Sequence, residues 1–140
     1  MNLPKRDLFI LWGLSTFWLA VYLASMLYHT GGRWGLPLDD SFIYFQYARQ
    51  VADGHFLQYN TGASPTAGAT SLLYMLLLVP GFLLGLEGME IAGYALVLGL
   101  LLLGFSAQLI LRLGKILAGE FSAGVAAVLL LCCGPLLWGY

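Results

Sequence analysis

Eight ionisable side chains between residues 29 and 90 are the groups in this sequence best able to do chemistry: Arg33, Asp39, Asp40, Arg49, Asp53, His55, Glu87 and Glu90. Asp39 and Asp40 stand out. They are adjacent, and apolar sequence flanks them on both sides, Leu36-Pro37-Leu38 before and Phe42-Ile43-Tyr44-Phe45 after. Carboxylates drawn into such surroundings cost several kcal/mol unless compensated. Two of them side by side repel, which lifts one into the range of a general base able to take a proton from an alcohol. The competing reading is structural, an acidic cap on the helix that follows. Arg33 and Arg49 could hold a phosphate, with His55 beside them as a further binding candidate. Their ordinary roles would be a wet loop for Arg33 and an i, i+4 pair with Asp53 for Arg49. His29 and His55 lack a second His, Cys or carboxylate at ligand spacing, so no metal site is expected. No phosphate-binding glycine loop, nucleophile elbow or dinucleotide fingerprint is present.

These groups sit in a chain built for apolar surroundings. Of 140 residues, 60% are hydrophobic and only 9% are charged, against about 25% charged in soluble domains. The mean hydropathy is +0.84. A membrane protein follows. Six Lys and Arg, scattered along the chain, form no basic stripe, which excludes nucleic acid as a partner. Cys132 and Cys133 are neighbours inside an apolar run and read as small apolar fillers, not as a disulfide framework.

The positioning elements can be read in order. Leu8–Tyr28 is uncharged for 21 residues, about 31 Å of helix against a hydrocarbon core of about 30 Å. It is longer than the apolar core of a signal peptide, and Trp12 and Trp18 are atypical for one. Lys5 and Arg6 before it place the N-terminus in the cytoplasm. Residues 29–90 then form an outer segment. In it, a loop marked by Gly31, Gly32, Gly35 and Pro37 leads to a helix over 40–53 that is too short to cross and lies in the interface, with Gly54 as its stop. A polar turn-rich loop, His55–Thr70, precedes a second short helix over 71–86, interrupted by Pro80. Ile91–Leu111 is the second span, Arg112, Lys115 and Glu120 mark a short loop, and Phe121–Trp138 is the third span. Lys5, Arg6, Arg112 and Lys115 share the cytoplasmic side only if 71–86 does not cross, which selects that topology. Gly81 and Gly85 have the spacing of a close helix contact. The expected fold is an all-α membrane protein with about three transmembrane helices and two outer-surface helices.

The stretch from Leu38 to Leu78 resembles the first outer loop of polytopic GT-C glycosyltransferases, relatives of protein O-mannosyltransferases and aminoarabinose transferases. The resemblance rests on Asp39-Asp40 after the first span, Phe45-Gln46-Tyr47-Ala48-Arg49, Ala52-Asp53-Gly54-His55, Tyr59-Asn60-Thr61-Gly62 and Gly68-Ala69-Thr70-Ser71. It extends over essentially the whole chain, through Arg112-Leu113-Gly114. Gln46 stands where related sequences often have Arg, and Leu72 where Pro is common. The resemblance implies Asp39 as general base, Asp40 as its assistant or acceptor-orienting partner, and Arg49 as support for the pair or a phosphate contact. It implies a polyprenyl-phosphate-linked sugar donor, an acceptor hydroxyl on a glycan, lipid or protein, and an active loop outside the cytoplasmic membrane. No cofactor is implied beyond, at most, a divalent cation. Family members have many more spans, so the resemblance also implies that this is an N-terminal portion whose donor pocket is completed elsewhere. The alternative from another class is a small non-catalytic membrane protein, an accessory subunit of a transporter or lipid-handling complex.

Overall fold

The first long apolar run folds as one uninterrupted helix in the computed structural model, which describes residues 4–33 and 40–137. This helix, α1, spans Lys5–His29. It starts behind Pro4, whose carbonyl accepts the Asp7 N–H at 3.0 Å; a proline is suited to a helix start because it has no N–H to leave unpaired. Two of its hydroxyls are satisfied internally: Ser15 donates to Leu11 O at 2.9 Å and Thr16 to Trp12 O at 2.8 Å. Polar side chains can thus occupy an apolar helix without an outside partner.

Two short helices follow. α2 spans Asp40–Ala52 and α3 spans Leu72–Leu83. α2 stops because Gly54 takes φ +86°, a left-handed conformation that only glycine adopts cheaply. Gly54 N–H then bonds Val51 O at 3.0 Å and His55 N–H bonds Gln50 O at 2.7 Å. This paired closure satisfies carbonyls the helix end would leave open. α3 begins at Ser71, whose Oγ accepts the Tyr74 N–H at 3.4 Å. It ends by the same device at Gly85, and Pro80 is carried inside it.

α4 spans Met89–Leu137 and is broken at one residue, Gly119, with φ +82° and ψ 172°. That region is open essentially to glycine alone, and another residue would be strained by about 1–3 kcal/mol. The break is a reversal. A straight helix would separate residues 114 and 123 by about 13.5 Å, yet a Cβ placed on Gly114 would lie 2.8 Å from Ala123 Cβ. Ala107, Leu111, Ala123, Ala127 and Leu131 share one buried cluster with Leu11 of α1. The chain therefore folds back as a tight helical hairpin. The loop expected around Arg112, Lys115 and Glu120 is corrected accordingly: Arg112 and Lys115 are helical, and the turn is Gly119 alone.

Two units emerge from these contacts, Met1–Gly35 with Leu98–Tyr140, and Leu36–Val97. In the first, Trp12 meets Phe105 edge-on at 5.7 Å, and Lys115 Nζ lies 2.9 Å from Asp7 Oδ2. Residue 7 beside 115 and residue 12 beside 105 make α1 and the first arm of α4 antiparallel. In the second unit, α2 packs on α3, and Tyr94 on α4 donates to Leu77 O at 3.0 Å. Gly81 lets Ile91 and Tyr94 approach closely. Gly85, its expected partner in helix packing, is instead the turn residue.

All described residues with regular structure are helical, in four helices. Two of these, α1 and α4, are long and apolar enough to cross a membrane, with mean hydropathies of 1.7 and 2.2 in their candidate spans. Only 11% and 22% of those stretches is buried. Helices in a soluble core would be mostly covered, so these apolar faces, among them Phe9, Phe17, Leu101 and Phe105, are compatible with lipid around them.

Candidate functional site: an acid-led helix strapped by a polar loop

Asp40 is the first residue of α2, and Asp39 lies outside the described residues. An acid at that position benefits from the positive end of the helix dipole. The helix behind it is held by four polar side chains. Tyr47 is 2% exposed and Gln50 is 7% exposed. Tyr47 OH accepts the Gly68 N–H at 3.2 Å and exchanges a hydrogen bond with Thr66 Oγ1 at 2.5 Å. One step along the helix, Tyr44 OH accepts the Ser71 N–H at 3.1 Å and exchanges a hydrogen bond with Thr70 Oγ1 at 2.5 Å. Gln46 Nε2 donates to Tyr59 O at 2.7 Å, and Thr61 Oγ1 donates to Gln50 Oε1 at 3.3 Å.

The result is a strap. Residues 55–70 run along α2 and are pinned at Tyr59, Thr61, Thr66, Gly68 and Thr70. Within the strap, Thr66 N–H bonds Leu57 O at 2.8 Å and Gly62 N–H bonds Gln58 Oε1 at 3.1 Å. Leu57 holds φ +57°, unusual for a side chain of that size. Tyr44 also fixes the start of α3, because Ser71, whose N–H it binds, is the residue that caps that helix. Ring contacts reinforce these attachments: Tyr44 meets Tyr74 of α3 at 5.5 Å and Tyr47 meets Tyr59 of the strap at 5.5 Å, both edge-on.

The remaining candidates are spread out. Arg49 is exposed in the last turn of α2, about 13–14 Å along the axis from Asp40. Its expected pairing with Asp53 is not formed: the helix ends at Ala52, and Asp53 already belongs to the closing turn. His55 is half-buried just beyond Gly54. Arg33 belongs to the other unit, exposed after α1, with its carbonyl accepting from the Thr30 hydroxyl. Among the described residues no group of three His, Cys, Asp or Glu is gathered to hold a metal ion.

The sequence pattern places Tyr44 in an apolar flank and gives Tyr47 no role of its own, so neither is read there as a polar anchor. The available signal was the choice of Tyr at 44 and 47 against Phe at 42 and 45, since a buried phenol needs a partner. The Thr, Gly and Ser residues of the following loop supply it.

A second polar cluster lies in the other unit. Lys115 Nζ is 2.9 Å from Asp7 Oδ2 and 3.6 Å from Glu120 Oε1, and Arg6 Nε is 3.5 Å from Asp7 Oδ1. The Asp7–Lys115 pair ties the start of α1 to the end of the first arm of α4.

No protein-family model, curated protein or solved structure matches the chain.

Proposed function

We propose that this chain is the membrane-anchoring part and acidic outer loop of a GT-C-like inverting glycosyltransferase in the cytoplasmic membrane. The donor is a sugar on a polyprenyl phosphate, and the acceptor is a hydroxyl on a glycan, lipid or protein. The observation that carries this reading is the strapped helix: α2 starts at Asp40 and is fixed along its length by Tyr44, Gln46, Tyr47 and Gln50. A catalytic acid needs a rigid support, because base and hydroxyl must meet within about 3 Å.

In this reading α1 and the two arms of α4 are three crossings. The pairing of Asp7 with Lys115 supports a shared cytoplasmic side for Lys5, Arg6, Arg112 and Lys115, as the positive-inside tendency requires. The outer segment then presents Asp39 and Asp40 to the outer leaflet. Asp39 takes the proton of the acceptor hydroxyl as its oxygen bonds to the anomeric carbon. The bond from that carbon to the phosphate oxygen breaks, the lipid phosphate leaves with the electron pair, and the anomeric centre inverts. Asp40 orients the acceptor. Arg49, at the far end of α2, binds a different part of the substrate from Asp40, with His55 as a further contact.

The test is sugar transfer in membranes carrying the protein and supplied with polyprenyl-phosphate-linked sugars. Asp39→Asn is expected to abolish transfer while the amount of folded protein is unchanged. Full transfer by Asp39→Asn removes the base from its role. One observation favours the non-catalytic alternative, an accessory membrane subunit: α2 begins at Asp40, and acids are ordinarily favoured at a helix start. Under that reading Asp→Asn costs at most about 1 kcal/mol of stability and nothing else.

A further inference from the structure

The tip of the α4 hairpin combines bare apolar side chains with unmatched positive charge, all within the unit of residues 1–35 and 98–140. Asp7 beside Lys115 puts the first turn of α1 level with residue 115. The first arm runs on from Lys115 to the turn at Gly119, so the tip projects about 6 Å past that ion pair. Its large side chains are apolar. Leu117 is 83% exposed and Phe121 is 86% exposed, with Ile116 and Leu113 exposed beside them. A contiguous patch of this kind needs a covering. The charges around it do not balance: Lys5, Arg6, Arg112 and Lys115 face only Asp7 and Glu120. Lys115 is held between Asp7 at 2.9 Å and Glu120 at 3.6 Å. Arg6 lies 3.5 Å from Asp7 with its side chain exposed. Lys5 and Arg112 are exposed, and neither has a carboxylate at ion-pair distance among the described residues.

We propose that the hairpin tip is a docking site for anionic phospholipid. Ile116, Leu117 and Phe121 enter the boundary between headgroups and acyl chains, and Lys5, Arg6 and Arg112 attract the headgroup phosphates. The proposal rests on the membrane reading above, which puts this end of the unit in the cytoplasmic leaflet. Two features choose the occupant. First, the apolar surface does not stop at the tip. Phe121, Val125, Val128 and Leu129 follow at steps of three or four up the second arm, all exposed, a stripe suited to acyl chains running along the helix. A soluble acidic partner would cover the tip and leave that stripe bare. Second, the surplus charge is positive. Glu120 is already opposed by Lys115 and Asp7 by Lys115 and Arg6, so Lys5 and Arg112 are left to attract anions. A headgroup with a phosphate and no ammonium answers them, whereas a choline or ethanolamine headgroup brings a cation of its own.

Fluorescence quenching tests this in the full chain, with Cys132 and Cys133 replaced by Ala, reconstituted in vesicles of equal parts phosphatidylglycerol and phosphatidylcholine. A fluorophore on Leu117→Cys reports the tip, and one on Leu101→Cys reports the exposed apolar face of the first arm. Bromine is carried on the acyl chains of the phosphatidylglycerol in one preparation and of the phosphatidylcholine in the other. At Leu117 the brominated phosphatidylglycerol is expected to quench about fivefold more strongly or better, the scale set by one surface cation. At Leu101 the two should quench alike. Lys5→Gln combined with Arg112→Gln should bring the ratio at Leu117 close to one, while Glu120→Gln does not lower it. Equal quenching by the two lipids at Leu117 overturns the proposal, as does a preference that survives the loss of both cations. Quenching by neither lipid at Leu117, with Leu101 quenched, overturns it too, because the tip would then lie in water or under protein. If Leu101 is quenched by neither lipid, the membrane reading itself fails, and this proposal with it.

Discussion

Removing one phenolic oxygen from α2 should loosen the strap at one amide and leave its neighbour alone. Tyr47 OH accepts the Gly68 N–H at 3.2 Å, and Tyr44 OH accepts the Ser71 N–H at 3.1 Å. The two tyrosines sit side by side on α2 but hold different amides. In Tyr47→Phe the ring remains and the hydroxyl is lost, with its bonds to the Gly68 N–H and to Thr66 Oγ1. The strap keeps its bonds from Gln46 to Tyr59 and from Thr66 N–H to Leu57, so it stays in place. A net hydrogen bond is worth about 1 kcal/mol. Local opening at Gly68 therefore becomes about fivefold more frequent, while Ser71 keeps its protection. Tyr44→Phe should give the mirror pattern, with faster exchange at Ser71 and none added at Gly68. Amide hydrogen exchange followed by NMR in micelles reads both positions in each variant. Equal acceleration at Gly68 and Ser71 in either variant would refute two separate latches. No change at Gly68 in Tyr47→Phe would refute the hydrogen bond itself.

The hairpin and the ion pair give further expectations. Gly114→Val drives side-chain atoms into Ala123, where even a Cβ would sit 2.8 Å from its Cβ and 2.9 Å from its Cα; overpacking of this kind costs about 1–3 kcal/mol, measurable by unfolding in mixed micelles. Gly124→Ala in the facing arm meets nothing within 4 Å and should be neutral or stabilise by up to about 1 kcal/mol. Lys115→Met leaves the Asp7 carboxylate without its cation and should lower the melting temperature; an unchanged melting temperature would contradict the pairing.

Much of the helical layout can be read from the residues. The uncharged run after Lys5-Arg6-Asp7 forms the body of α1, the Gly54 stop ends α2, and the Thr-Ser pair at 70–71 opens α3. What escaped the sequence depends on partners far along the chain. Arg112, Lys115 and Glu120 look like a loop because charges interrupt the apolar pattern. Helix nevertheless continues to Gly119, because Lys115 finds Asp7, over a hundred positions away, and Ala123 fits against Gly114. At the candidate site, the acidic pair announces itself by type, but the strap does not. Tyr44 and Tyr47 carry the same apolar weight as their Phe neighbours in any periodic pattern, and only the fold brings Thr66, Gly68, Thr70 and Ser71 to their hydroxyls. The Arg49–Asp53 spacing suggested a pair that the closing turn at Gly54 prevents.

The central claim is that the segment between α1 and α4 displays its acidic helix on the outer face of the membrane. Single cysteines at His55 and Glu87, in a background free of Cys132 and Cys133, can be treated with a membrane-impermeant maleimide in intact cells. Both are expected to react before permeabilisation, while a cysteine at Lys5 reacts only afterwards. Reaction at His55 or Glu87 only after permeabilisation would put the acidic helix on the wrong side for an external donor and contradict the account.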